Sequence, residues 1–135
     1  MINYTIENDL SVGEFKAVLV NSSLGNRRPV NDTDTLEKML EHGNLIISAR
    51  NNGKLIGVAR ALTDFAYCTY LSDLAVDESY QRQGVGTELI RQVKLAAPKA
   101  KLIILSAPAA ISYYPKIGFS RHEYCFFLDD LNNLK

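Results

Sequence analysis

The feature that most restricts this chain is a change of period around two glycines. The stretch YCTYLSDLAV (Tyr67–Val76) reads as a strand that ends near Val76. QRQGVGTELI (Gln81–Ile90) follows, with Gly84 and Gly86 one residue apart. Behind them Val85, Leu89, Val93 and Ala96 share one helical face, while Glu88, Arg91 and Lys94 lie elsewhere on the surface. Pro98 stops that helix, and KLIILSA (Lys101–Ala107) is a fully apolar strand of the kind found in mid-sheet. A chain with this succession must pack helices on a sheet.

The remaining elements agree. INYTIE alternates apolar and polar residues and predicts a strand over Ile2–Glu7. Val12, Phe15, Val18 and Leu19 recur at helical spacing, ahead of a loop rich in turn formers, SSLGNRRPVND. Asp34 and Glu37 have the spacing of a capping box for a helix over Thr35–Glu41. NLIISARNNGKLIGVARAL is two strands joined by Asn52-Gly53, a strong hairpin signal. PAAISYYPKIGF predicts a short helix ended by Pro115 and Gly118, and HEYCFFL a last strand. The expected order is β-α-α-β-β-β-α-β-α-β. This is an α/β (α+β) fold with a mixed sheet flanked by helices, in one domain over residues 1–135.

Composition narrows the function classes. Fifteen basic and fifteen acidic residues cancel, which argues against a nucleic-acid protein that works by bulk charge. The first residues carry Glu7 and Asp9 and no basic region, unlike a secretory signal, and no apolar run approaches the roughly 20 residues of a membrane helix. Cys68 and Cys125 match no metal or redox spacing, and His42 and His122 lie far apart. The expectation is a cytoplasmic protein with two reduced, buried thiols and no metal.

A helix N-terminus leaves N–H groups without partners and carries about half a positive charge. Glycines in front of it let the backbone approach an anion, with phosphate or pyrophosphate the usual guest. A plain tight turn into a helix explains the same glycines. The dinucleotide fingerprint fails, because its third glycine falls on Leu89, and a P-loop fails for want of a lysine after Gly86.

Gln81-x-x-Gly84-x-Gly86, after a strand and opening a helix, resembles the central motif of the GNAT acetyltransferase superfamily, Gln/Arg-x-x-Gly-x-Gly/Ala. AISYYPKIGF (Ala110–Phe119) resembles that family's late motif, A-x-x-F/Y-Y-x-K-x-G-F. The resemblance implies a GNAT-like, mostly antiparallel sheet and acetyl-coenzyme A as cosubstrate. It implies that the strand before the glycine loop splays from its neighbour, with Leu74, Ala75 and Val76 contacting the pantetheine arm largely through backbone groups. It places Gln81, Arg82, Gln83, Gly84, Val85, Gly86 and Thr87 around the pyrophosphate, Arg82 either adding a charge-assisted contact or remaining a solvated loop arginine.

Acetyl transfer to an amine needs a neutral nucleophile, a stabilised oxyanion and a tolerated thiolate, and requires no metal. By the resemblance Tyr114 stands beside the thioester sulfur as general acid. A phenol has a reference pKa near 10 against about 8.5 for a thiol, so it still holds a proton when the thiolate leaves. Tyr113 packs or touches the far end of the coenzyme, and Lys116 either meets its phosphates or is solvated. For the base, the strand offers Tyr70, Ser72 and Asp73, but Tyr70 and Ser72 are poor bases and are expected to contact the acceptor instead. Alternation puts Asp73 on the face opposite Tyr70 and Ser72 unless a bulge intervenes. Asp73 is either that base or a structural acceptor, and a water chain serves equally.

The acceptor is expected near the loop between the first two helices, where Arg27 and Arg28 either hold an acceptor carboxylate or phosphate or face solvent. Arg60 and Asp64 pair with each other or with substrate. The leading expectation is a small-molecule primary amine as acceptor, ahead of a peptide or protein. The alternative is a coenzyme A-binding module that senses without turnover. The resemblance also suggests a homodimer, with YCFFL either joining a partner sheet or lying in the core.

Overall fold

The computed structural model describes residues 1–135, which form two compact units, Met1–Leu105 and Ser106–Lys135. The first holds a five-stranded sheet in the order β1-β2-β3-β4-β5. Its strands are β1 (Ile2–Ile6), β2 (Leu45–Asn51), β3 (Lys54–Thr63), β4 (Cys68–Val76) and β5 (Lys101–Ile104). The first three pairings are antiparallel and β4–β5 is parallel, so the sheet is mixed and mostly antiparallel, as expected.

Local chemistry explains most of the boundaries. Asn52 and Gly53 both have positive φ, 50° and 84°, the backbone of a two-residue hairpin turn. Asn51 and Lys54 therefore face each other across β2 and β3. Helix α1 (Val12–Asn21) is capped by Ser11, whose hydroxyl accepts from the Glu14 N–H at 3.2 Å. Helix α2 (Thr33–His42) starts earlier than Asp34 and Glu37 suggest. Its cap is Asp32, which accepts from the Thr35 N–H at 3.1 Å and its hydroxyl at 2.7 Å. Asp34 then falls in the first turn, where negative charge suits the helix dipole. Helix α3 (Val85–Ala96) ends just before Pro98.

Phe15, Val18 and Leu19 of α1 and Leu36 and Leu40 of α2 pack with Ile46, Val58 and Ala75 of the sheet in one buried cluster. Phe15 has no exposed surface, and its truncation to alanine would cost about 3–5 kcal/mol. Helix α3 also packs against β2 and β3. There Gly57 faces it, and a Cβ at 57 would stand 3.2 Å from Leu89 and 3.3 Å from Val85.

Other expectations fail. β5 is an edge strand, not a mid-sheet one, and its exposure alternates. Residues 122–128 form no strand, although they favour an extended backbone. A strand needs a partner's N–H and C=O groups, and these residues pair with none, leaving Tyr124, Phe126 and Phe127 exposed. Cys68 and Cys125 are exposed rather than buried. Cys68 stands first on β4 in its outward alternation, and Cys125 lies in the unpaired run.

The second unit holds a 3-10 turn (Pro108–Ala110) and a short helix α4 (Tyr113–Lys116). Pro115 lies inside α4 rather than ending it, which the first turn of a helix tolerates. Gly118 ends it with φ 111°.

Candidate active site

The site begins with a fork in the sheet. β4 and β5 pair from Cys68↔Lys101 to Leu71↔Ile104 and no further, while β4 runs on to Val76. The far edge of residues 72–76 therefore has no strand beside it. Leu74 and Val76 are half-buried and Ala75 is buried in the core, so the three offer the open edge mainly their backbone. A bulge stands at the fork. Arg60 faces Asp73 and Ala61 faces Leu71, which leaves Ser72 as the extra residue of β4.

Beyond β4, Gln81 folds back and donates from Nε2 to the Val76 carbonyl at 2.8 Å, closing the loop. Arg82 and Gly84 take left-handed backbone, φ 63° and 85°. For a residue with a side chain that geometry costs roughly 1–3 kcal/mol. Gly84 is the N-cap of α3, and no side chain caps the helix there. A Cβ at Gly84 would meet nothing within 4 Å, so the space in front of the helix is open. Gln81, Arg82, Gln83 and Gly84 are exposed, Gly86 and Thr87 are half-buried, and Val85 is buried in the core. Gln83 donates to the Ser79 carbonyl at 3.4 Å.

Asp73 is fully buried. Its Oδ1 accepts from Arg28 Nε at 2.5 Å and its Oδ2 from Arg60 Nε. Arg28 also donates to the Ser72 carbonyl at 2.8 Å and the Arg27 carbonyl at 2.9 Å. Arg60 donates to Ser72 Oγ at 2.9 Å and to the Met39 carbonyl at 3.1 Å. One carboxylate thus ties β3, β4 and the 3-10 turn Leu24–Arg27 together. Its partners are arginine side chains, so Asp73 stands here as a structural acceptor. Arg28 is engaged in this network, Arg27 is exposed, and Tyr70 lies partly exposed on β4. Asp64 pairs with backbone amides instead of Arg60. Its Oδ1 accepts from Tyr67, Ala66 and Cys68 at 2.8, 2.9 and 3.1 Å. Those three amides hold its carboxyl below the usual range.

In the second unit Tyr114 stacks edge-on with Tyr113, centroids 5.2 Å apart, and with Phe119 at 5.4 Å. Burial first, and Tyr113 second, push its phenol above the ordinary value. Lys116 is the exposed last residue of α4.

Sequence reasoning missed the Arg60–Asp73–Arg28 link and the Gln81–Val76 clasp. Asp73 lies 13 and 45 positions from its partners, and no local pattern reports such distances. The lone carboxylate in the apolar run LSDLAV was the available signal.

An uncapped helix behind a forked strand defines the class. The acetyltransferase (GNAT) domain family matches residues 20–130. The chain belongs to that family. It is 32% identical over 69 residues to GCN5-related N-acetyltransferase 2, chloroplastic, of Arabidopsis thaliana, covering 49% of this chain and 27% of that protein. It is 31% identical over 88 residues to an uncharacterized N-acetyltransferase, ycf52, of Porphyra purpurea, covering 59% of this chain and 50% of that one. The chain thus spans half or less of the length of these curated relatives. A GNAT-family acetyltransferase of Streptococcus pneumoniae shares the fold with a TM-score of 0.80, 21% identity and coverage of 99% and 100%. AAC(6')-Iy, solved with the bisubstrate analog CoA-S-monomethyl-acetylneamine, gives 0.72 at 16% identity, covering 96% and 98%. No group of three or more His, Cys, Asp or Glu residues is placed to hold a metal, and no helix is long and apolar enough to cross a membrane.

Proposed function

We propose that this chain binds acetyl-coenzyme A and transfers its acetyl group to the primary amine of a small molecule. The observation that carries the reading is the open N-terminus of α3, uncapped by any side chain and preceded by two left-handed residues. The N–H groups that a helix start turns outward, together with the helix dipole, favour a diphosphate there. Backbone groups of Leu74, Ala75 and Val76 take the pantetheine arm along the open edge of β4. Arg82 adds charge near the pyrophosphate, with Gln83, Val85, Gly86 and Thr87 completing its seat, and Tyr113 and Lys116 serve the same coenzyme.

The coenzyme supplies the acetyl thioester. The amine nitrogen bonds the acetyl carbon, and the carbon–sulfur bond breaks. The nitrogen loses its proton to water, and the departing thiolate takes one from the Tyr114 hydroxyl. A phenol pushed up by burial stays protonated at neutral pH, which suits it to donate. Asp73, with both oxygens engaged by arginines, serves by fixing the fork rather than by taking a proton.

Thiol release from acetyl-coenzyme A, followed against a panel of amines, tests the reading. Tyr114→Phe is expected to lower kcat by about 100-fold with coenzyme affinity within twofold. An unchanged kcat removes Tyr114 from the chemistry. Coenzyme binding with no release for any amine favours the sensing module instead.

A further inference from the structure

The root of the fork borders a cavity of about 550 Å³, walled by Leu62, Tyr70 and Ile103 with His42, Asn44 and Asp64. Tyr70 and Ile103 are registered partners in β4 and β5, one step before Leu71↔Ile104, the last pair. The cavity therefore adjoins the point where the strands part. All of its walls belong to the unit Met1–Leu105.

Two properties of the walls decide what fits. The first is apolar surface left to water: Leu62 and Ile103 are each 41% exposed and Tyr70 is 37% exposed. A hydrocarbon group laid against them removes that surface from solvent. The second is charge. No lysine or arginine lines the cavity, and its one carboxylate is Asp64. The backbone amides fix Oδ1, while Oδ2 meets only Cys68 Sγ, 4.0 Å away. Arg28 and Arg60 are both committed to Asp73 and so are not free to receive an acidic acceptor. A negative acceptor would find a like charge and no lysine or arginine, whereas an ammonium finds Asp64.

From this we infer that the acceptor is a primary monoamine with an apolar alkyl or aryl body and no carboxylate. Its hydrocarbon part lies against Leu62, Tyr70 and Ile103, and Asp64 draws in its ammonium before the proton is lost. The inference rests on the acyl-transfer reading and deepens it, setting aside amino acids and polyhydroxylated polyamines.

The test compares 2-phenylethylamine, phenylalanine and kanamycin as acceptors. The expected kcat/KM for 2-phenylethylamine exceeds the other two by at least about tenfold. Leu62→Lys places a cation in the cavity and is expected to raise the KM for 2-phenylethylamine by at least about tenfold, leaving the KM for acetyl-coenzyme A unchanged. Asp64→Asn keeps an oxygen for the three amides but loses the charge, and lowers kcat/KM by about threefold. A preference for phenylalanine or kanamycin, or a wild-type KM in Leu62→Lys, overturns the assignment. Saturation-transfer NMR with 2-phenylethylamine and coenzyme A separates the two levels. Amine binding that Leu62→Lys removes upholds the cavity even without turnover, and the acyl-transfer reading then fails alone. Coenzyme binding without amine binding overturns the cavity assignment.

Discussion

The beginnings of α2 and α3 are built in opposite ways. At α2 the carboxylate of Asp32 takes the Thr35 N–H and hydroxyl, so the helix start is completed by its own chain. At α3 the cap is Gly84, with no side chain that reaches back and open space in front of it. Both ends present the same physical demand, N–H groups that the helix's own carbonyls do not reach and a positive dipole. One fold answers that demand with a side chain at α2 and supplies no side-chain cap at α3, where we propose that the coenzyme binds. Buried Asp73 belongs with α2 in this contrast, its charge met twice from within.

That contrast can be broken at three points. The largest effect is expected at α3. Gly84→Glu places bulk and negative charge before the helix and should abolish coenzyme binding, a loss of at least about 100-fold by calorimetry. Gly84→Ala imposes the same left-handed strain without the bulk or the charge, so intact binding in the alanine variant assigns the loss to the glutamate side chain and not to backbone strain. Coenzyme affinity that survives Gly84→Glu would end the claim that this helix start is a seat. The next effect is at the fork. Arg60→Ala leaves buried Asp73 half-paired and should cost about 3–5 kcal/mol in urea unfolding. A cost under about 1 kcal/mol would mean that Arg28 and water satisfy the carboxylate. The smallest is at α2, where Asp32→Ala should lower the urea midpoint by less than Arg60→Ala does and leave coenzyme affinity untouched. If affinity falls as well, the two helix starts are not independent and the contrast must be redrawn.

Much of this was legible in the residues because it is local. Asn52-Gly53 can hardly be anything but a two-residue turn, and Gly84 and Gly86 lie at the junction of strand and helix where the sequence puts them. The α2 cap moved from Asp34 to Asp32 because several residues of PVNDTDT can cap, and only the emerging helix axis chooses among them. What needed partners was illegible. KLII has the composition of a central strand, yet whether a strand is central depends on a neighbour. HEYCFFL has strand propensity and no ladder. The bulge at Ser72 and the two arginines on Asp73 arise from chain segments brought together by folding, and periodicity cannot announce them.

Gly57 has a consequence at a distance. Sited mid-strand and away from any proposed ligand, its bare backbone sets how low α3 rides, since Val85 and Leu89 occupy the room a methyl would claim. Val85 is also the first residue of that helix, directly after Gly84. Crowding beneath it would lift the helix tip by tenths of an ångström while the hydrogen-bonded edge of β4 stayed put. The alignment of the proposed diphosphate seat with the proposed pantetheine track is thus gauged by an absent side chain in the protein interior.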